Sequence, residues 1–139
     1  MDKQNIYNIL KVLKEIYPEA KCALNFGSPY ELLVSTMLSA QCTDVRVNKV
    51  TSELYKQYNT PGKMISLTEE ELGEKIKSCG FFRNKSRNIL LTSRELVEKY
   101  GGEVPHTMEQ LIELPGVGRK TADVVLSNAF GVPAIAVDT

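Results

Sequence analysis

The stretch LPGVGRKTADVV, Leu114–Val125, sets two glycines, Gly116 and Gly118, on either side of one valine. It follows them with two cations, Arg119 and Lys120, and then runs into helix-compatible sequence. A glycine-rich turn that opens a helix presents backbone N–H groups with no intrahelical acceptor, and such a turn suits an anion. Lysine in the first turn runs against this logic, because the positive end of the helix disfavours another positive charge. The nucleotide P-loop pattern G-x-x-x-x-G-K-S/T fits only at Lys120-Thr121. Arg119 stands where its second glycine belongs, Leu114 where its first does, and no strand pattern precedes the turn. A plain corner with glycines for packing accounts for Gly116 and Gly118 but not for Lys120. Two readings of the lysine stay open. One is a phosphate-contacting cation. The other is an amine nucleophile whose neutral form is favoured by the helix end and by Arg119.

Working outward, the chain reads as helix after helix. Ile6, Ile9, Leu10, Leu13 and Ile16 recur at helical spacing up to Pro18. Ser28 and Pro29 form a cap and first position for PYELLVSTMLSA. Thr43 caps DVRVNKVTSELYKQY, with Val47, Val50, Leu54 and Tyr58 as its stripe, and Asn59-Thr60-Pro61-Gly62 breaks the chain. Thr68 with Glu71 and Thr107 with Gln110 read as capping boxes, and Gly80 suits a helix end. A further helix is expected from about Asn84 to Tyr100. The helices flanking the opening stretch are expected from about Thr107 to Leu114 and from Gly118 to Phe130, stopped by Gly131 and Pro133. The β-branched run Ala134–Val137 is short and follows a proline. The expected fold class is all-α, six or more short helices around one core.

Composition narrows the class of protein. The chain has 139 residues, 42% of them hydrophobic, which supports one domain with a real core. No apolar run approaches the roughly 18 residues of a membrane span, and the charged N-terminal stretch lacks the continuous apolar region of a signal peptide. Cys22, Cys42 and Cys79 are widely spaced and form no Cys-x-x-Cys pair, and the single histidine is His106. These thiols read as small buried hydrophobes in a reducing cytoplasm, and no closed zinc site is expected. Formal net charge is zero, yet Lys75, Lys77, Arg83, Lys85, Arg87 and Arg94 run without an intervening acid. That run reads either as a basic stripe for nucleic acid or as a solvated helix face.

The segment ELPGVGRKTADVVLSNAFGVPAIAVDT closely resembles the hairpin and catalytic segment of the endonuclease III family, helix-hairpin-helix DNA glycosylases and abasic-site lyases. LLVSTMLSAQCTDVRVNKV and GFFRNKSRNILLTSRELVEKYGGEVP extend the resemblance over essentially the whole chain. It implies base excision repair by a bifunctional enzyme that removes oxidised pyrimidines and cleaves abasic sites by β-elimination. Lys120 matches the position of the Schiff-base nucleophile, and Asp138, in Val-Asp-Thr, that of the acid that assists it. Read without the resemblance, Asp138 would be a helix cap. Gln41 matches the residue that fills the gap left by an extruded nucleotide, and Phe81 matches the wedge in the opposite strand, although Phe81 also reads as a core aromatic beside Phe82. Leu114, Gly116, Val117, Gly118 and Arg119 match the phosphate-gripping hairpin. The implied partner is double-stranded DNA carrying a damaged base or abasic site, bound by a monomer in the cytoplasm at the nucleoid.

The resemblance also implies an organisation. Residues 22–132 correspond to a six-helix domain that includes the hairpin at 107–130. Residues 1–21 and 133–139 correspond to remnants of a second, C-terminal domain. Typical bacterial members continue beyond Val-Asp-Thr and end in four closely spaced cysteines that hold a 4Fe–4S cluster. The chain therefore reads as C-terminally truncated. No cofactor is expected in it, and a cluster is expected only if the missing segment carries those cysteines. Two other readings compete: a non-catalytic hairpin module, which needs neither Lys120 nor Asp138, and the adenine-removing glycosylase branch, whose members generally lack the lysine.

Overall fold

The computed structural model describes residues 23–131, and every regular element among them is helical. The amphipathic segment up to Pro18, Cys22, the run Ala134–Val137 and Asp138 lie outside the described residues. The helices are α1 (Pro29–Leu38), α2 (Asp44–Leu54), α3 (Pro61–Met64), α4 (Glu69–Ile76), α5 (Phe82–Lys99), α6 (Met108–Leu111) and α7 (Arg119–Ala129). A 3₁₀ turn, Lys77–Cys79, follows α4.

The sequence signals for helix starts are met by their bonds. Ser28 Oγ accepts from the Glu31 N–H and Pro29 occupies the first turn of α1. Thr43 accepts from the Arg46 N–H at α2. At α4 both halves of a capping box form: Thr68 accepts from the Glu71 N–H, and the Glu71 carboxylate accepts from the Thr68 N–H. Three expectations need correction. Thr60, expected in a chain break, caps the one-turn helix α3 by accepting from the Lys63 N–H. The helix expected from Thr107 to Leu114 is the single turn α6. There Thr107 caps the Gln110 N–H but bonds the Gln110 side chain rather than receiving it on its own backbone. Finally, α5 begins at Phe82, before the expected Asn84, and its N-cap position is Phe81 in the left-handed region at φ 46°.

Burial organises these helices around α5. This helix packs along α4 and α3, while α1 packs against α7 and α2. Leu32, Leu33 and Leu38 of α1, Leu72 and Ile76 of α4, and Ile89 and Leu96 of α5 are fully buried. Each such side chain contributes about 1.5–3 kcal/mol relative to exposure. Polar groups buried among them are paired. Tyr30 bonds Ser93 across α1 and α5, and Tyr55 Oη donates to the Glu31 carbonyl at 2.8 Å while bonding Ser35 at 2.6 Å. Burial drives both phenols well above the ordinary tyrosine range, so they act as neutral hydrogen-bonding groups.

The two hairpin glycines are required for different reasons. Gly116 has φ 76°, and a Cβ there would lie 2.8 Å from Asn88 Cβ on α5. Gly118 is extended, at φ −97° and ψ −179°, and a Cβ there meets nothing within 4 Å. Gly116→Ala is therefore expected to destabilise the fold by about 1–3 kcal/mol. Gly118→Ser should leave stability unchanged or raise it by a few tenths of a kcal/mol, since serine is a good N-cap in extended backbone. Thermal unfolding of the two variants checks both; equal loss in the two would refute this difference.

Candidate active site

Leu114–Gly118 completes the connection from α6 to α7, and Arg119–Val125 forms the first turns of α7. Leu114 and Val117 point into the core, with 2% and 5% of their surface exposed. The Val117 N–H closes the turn on the Leu114 carbonyl at 3.1 Å. Two side chains of α5 hold the turn from below: Asn88 lies against Gly116, and Thr92 Oγ1 donates to the Pro115 carbonyl at 2.7 Å. Above it, Gly118, Arg119 and Lys120 are exposed. No side chain caps the start of α7, so its first-turn N–H groups have no partner within the helix. The structure thus builds an anion-accepting helix start with a lysine at its second position. Leu114 and Val117 can offer a ligand only backbone, because their side chains are used to anchor the turn.

Two further loops follow segments whose last carbonyls meet α5. The first leaves α1 through Ser39 to Thr43 and contains Gln41, exposed and left-handed at φ 56°. The second is Gly80–Phe81, with φ 79° and 46°. Phe81 is 63% exposed, so it is not the core aromatic; its neighbour Phe82 fills that part, packed against the core. Gln41 and Phe81 are the only non-glycine residues with positive φ among the described residues. Such conformations cost of order 1 kcal/mol and persist where surrounding structure imposes them.

The segments that lead into both loops meet at Lys85. Its side chain is 6% exposed, and Nζ donates to the Leu38 carbonyl at 2.8 Å and to the Cys79 carbonyl at 3.0 Å. These are the last residue of α1 and the last of the 3₁₀ turn. Burial pushes the Lys85 ammonium below its ordinary range, and the nearby thiols of Cys79 and Cys42 act the other way. The Cys79 thiol is pushed up to about 11, by burial first and then by Cys42, so it is protonated at neutral pH. Cys42 is half-buried and Cys79 buried, as expected of small hydrophobes. Two thiols beside a buried ammonium do not fit a four-thiolate iron–sulfur cluster. Among the described residues no group of three or more His, Cys, Asp or Glu could hold a metal ion.

The basic run from Lys75 to Arg94 is not one stripe. Lys85 is inside the protein. Arg83 and Arg87 share a groove with Glu69, Glu70 and Glu74 of α4. At 100° per residue, Arg83, Arg87 and Arg94 fall on the side of α5 roughly opposite Lys85 and Thr92. The cations beside the hairpin are instead Arg119 and Lys120. No described helix is long and apolar enough to cross a membrane.

The structure therefore gathers the hairpin residues and hangs both left-handed loops on the same helix. Lys85 and Asn88 are one turn apart and Thr92 one turn further, so roughly 10 Å of α5 supports all three elements. Asp138 lies outside the described residues. Lys85, Asn88 and Thr92 went unrecognised as site-building residues. One signal was present: Lys85, Ile89, Thr92 and Leu96 recur at the spacing of a core-facing helix stripe, where a lysine is out of place.

Residues 34–139 match the family model described as HhH-GPD superfamily base excision DNA repair protein. The chain is 52% identical over 130 residues to endonuclease III of Bacillus subtilis (strain 168), covering 94% of this chain and 59% of that protein. It is 50% identical over 139 residues to endonuclease III of Escherichia coli (strain K12), covering all of this chain and 66% of that protein. The chain thus spans less than two thirds of the length of either relative. A solved trapped endonuclease III–DNA covalent intermediate, an estranged-adenine complex, superimposes with a TM-score of 0.86 at 52% identity, over 100% of this chain and 65% of that one. A thermostable thymine-DNA glycosylase is more distant, with a TM-score of 0.76 at 27% identity over 82% of this chain and 52% of that one. With a family model matched along most of its length and an all-helical fold to go with it, the chain belongs to the HhH-GPD superfamily of base excision DNA repair proteins.

Proposed function

We propose that this protein is a bifunctional DNA glycosylase and abasic-site lyase acting on oxidised pyrimidines in double-stranded DNA. The observation that carries the reading is Lys120, an exposed amine on the uncapped first turn behind a glycine hairpin. Phosphate binding alone would be served by the N–H groups and Arg119. A primary amine on the exposed first turn of the helix can in addition act as a nucleophile.

The chemistry follows. The target nucleotide leaves the stack, because its C1′ and base edge are inaccessible in a duplex. Lys120 Nζ attacks C1′, the C–N bond forms, and the base departs with the bonding pair of the glycosidic bond. Loss of a proton from nitrogen and opening of the sugar give an imine. Removal of a proton from C2′ then expels the 3′ phosphate, which is β-elimination. Asp138 is assigned the task of taking the lysine proton and stabilising positive charge at the sugar. The hairpin N–H groups and Arg119 hold a backbone phosphate without reading sequence. Gln41 fills the vacated space and Phe81 wedges the opposite strand. We assign residues 22–132 to the hairpin-bearing domain and residues 1–21 and 133–139 to remnants of a second, C-terminal domain. We assign the protein to the cytoplasm, at the nucleoid, acting as a monomer; a 4Fe–4S cluster enters only if a following segment supplies four cysteines.

Borohydride trapping on an abasic-site duplex tests the chemistry, since only an imine-forming amine becomes covalently linked. Lys120→Ala and Lys120→Arg should both abolish trapping, while affinity for a duplex carrying a reduced abasic site stays within about tenfold. A Lys120→Arg protein that traps as fast as wild type would remove Lys120 from the mechanism.

Binding measurements test the hairpin. Gly118→Ser, neutral or stabilising for the fold, should weaken every duplex alike, because the new hydroxyl occupies N–H groups that otherwise meet phosphate. Arg119→Gln should reduce the slope of log affinity against log salt by about one. Arg83→Gln and Arg87→Gln, on the groove shared with α4, should change affinity less than about twofold. A larger effect at Arg83 or Arg87 than at Arg119 would put the DNA on the other side of α5.

A further inference from the structure

We infer that Lys85 is a positioning residue for nucleotide extrusion: its buried ammonium ties together the two loops that present Gln41 and Phe81, and so sets the distance between gap-filler and wedge. The inference rests on the lyase reading above and deepens it.

Three observations carry it. First, the two acceptors lie one on each loop's root. Leu38 closes α1 three residues before Gln41, and Cys79 closes the 3₁₀ turn two residues before Phe81. One Nζ at 2.8 and 3.0 Å from both carbonyls holds the roots a fixed few ångströms apart. Second, both loops carry a left-handed non-glycine residue, and these are the only two among the described residues. Backbone strain at two places, each two or three residues after one end of a shared tie, marks loops that are held rather than relaxed. Third, the tie is made to backbone alone. Neither of the two groups that accept from Nζ is a carboxylate, so the ammonium is held by carbonyls at the negative ends of two helical segments. A buried lysine serves packing poorly compared with an apolar residue. Its use is geometric.

The experiment compares reaction on two substrates. One is a duplex with the abasic site stacked within it. The other is a single strand carrying the same site, where no nucleotide has to leave a stack and no gap has to be filled. With wild-type protein, both should give a borohydride-trapped adduct. Lys85→Met, which keeps the stem and removes the donors, should slow trapping about tenfold or more on the duplex and no more than about twofold on the single strand. Fluorescence of 2-aminopurine opposite the site should show weaker unstacking. In a Gln41→Ala/Phe81→Ala background, Lys85→Met should cause no further loss on the duplex, because the groups it positions are gone. If Lys85→Met does not fold, Lys85→Gln replaces it, being one bond too short to span both carbonyls. Equal slowing on the two substrates, or full additivity with the loop variants, would overturn the inference and leave Lys85 as a structural residue. A wild-type protein that traps neither substrate would overturn the lyase reading itself, and the positioning role with it.

Discussion

The ammonium of Lys85 is the constraint on which the candidate site depends. Helix ends leave carbonyls without partners, and a helix end inside a protein must find a donor. Here two such ends, those of α1 and of the 3₁₀ turn after α4, arrive at the same point and share one donor. A cation at a helix C-terminus is favoured by the helix dipole, which offsets part of the cost of burying it. Both segments stop at this point and continue into left-handed residues, Gln41 in one case and Gly80–Phe81 in the other.

The same helix supports the hairpin one and two turns later. Asn88 leaves room for Gly116 and nothing larger, and Thr92 satisfies the Pro115 carbonyl. The loops and the hairpin thus hang from one side of α5, whose opposite side carries Arg83 and Arg87, which line a groove with glutamates of α4. A rigid helix with three separate ties holds exposed, strained loops in place better than the loops could hold themselves. This division also accounts for where the side chains of the opening stretch go. Leu114 and Val117 are spent in the core, so that Gly118, Arg119 and Lys120 stand at the surface in a fixed orientation.

Within the hairpin, two identical residues do unlike work. Gly116 is demanded by the fold, since its φ and its contact with Asn88 both exclude a side chain. Gly118 is not demanded by the fold at all, because its backbone is extended and the space beside it is open. A position that any residue could occupy, held as glycine at an uncapped helix start, leaves the N–H groups free for something outside the protein. Sequence treats the pair as one motif; the geometry separates a glycine the fold requires from one it does not.

The helices themselves were written in the sequence. Their starts depend on local hydrogen bonds within four residues, so Ser28, Thr43, Thr68 and Thr107 could be recognised from their neighbours, and Gly80 and Gly131 marked stops for the same reason. The hairpin and Lys120 were legible because the turn and the helix start occupy consecutive residues. The sequence could not tell that α6 is a single turn, that Phe81 is exposed while Phe82 is packed, or that a run of six cations is divided among a buried tie, an acid-lined groove and open surface. Those outcomes depend on which side of α5 meets which neighbour. Lys85 meets Leu38 across 47 residues, and Thr92 meets Pro115 across 23. Such meetings are decided by the packing of whole helices around a shared core, and no local spacing encodes them.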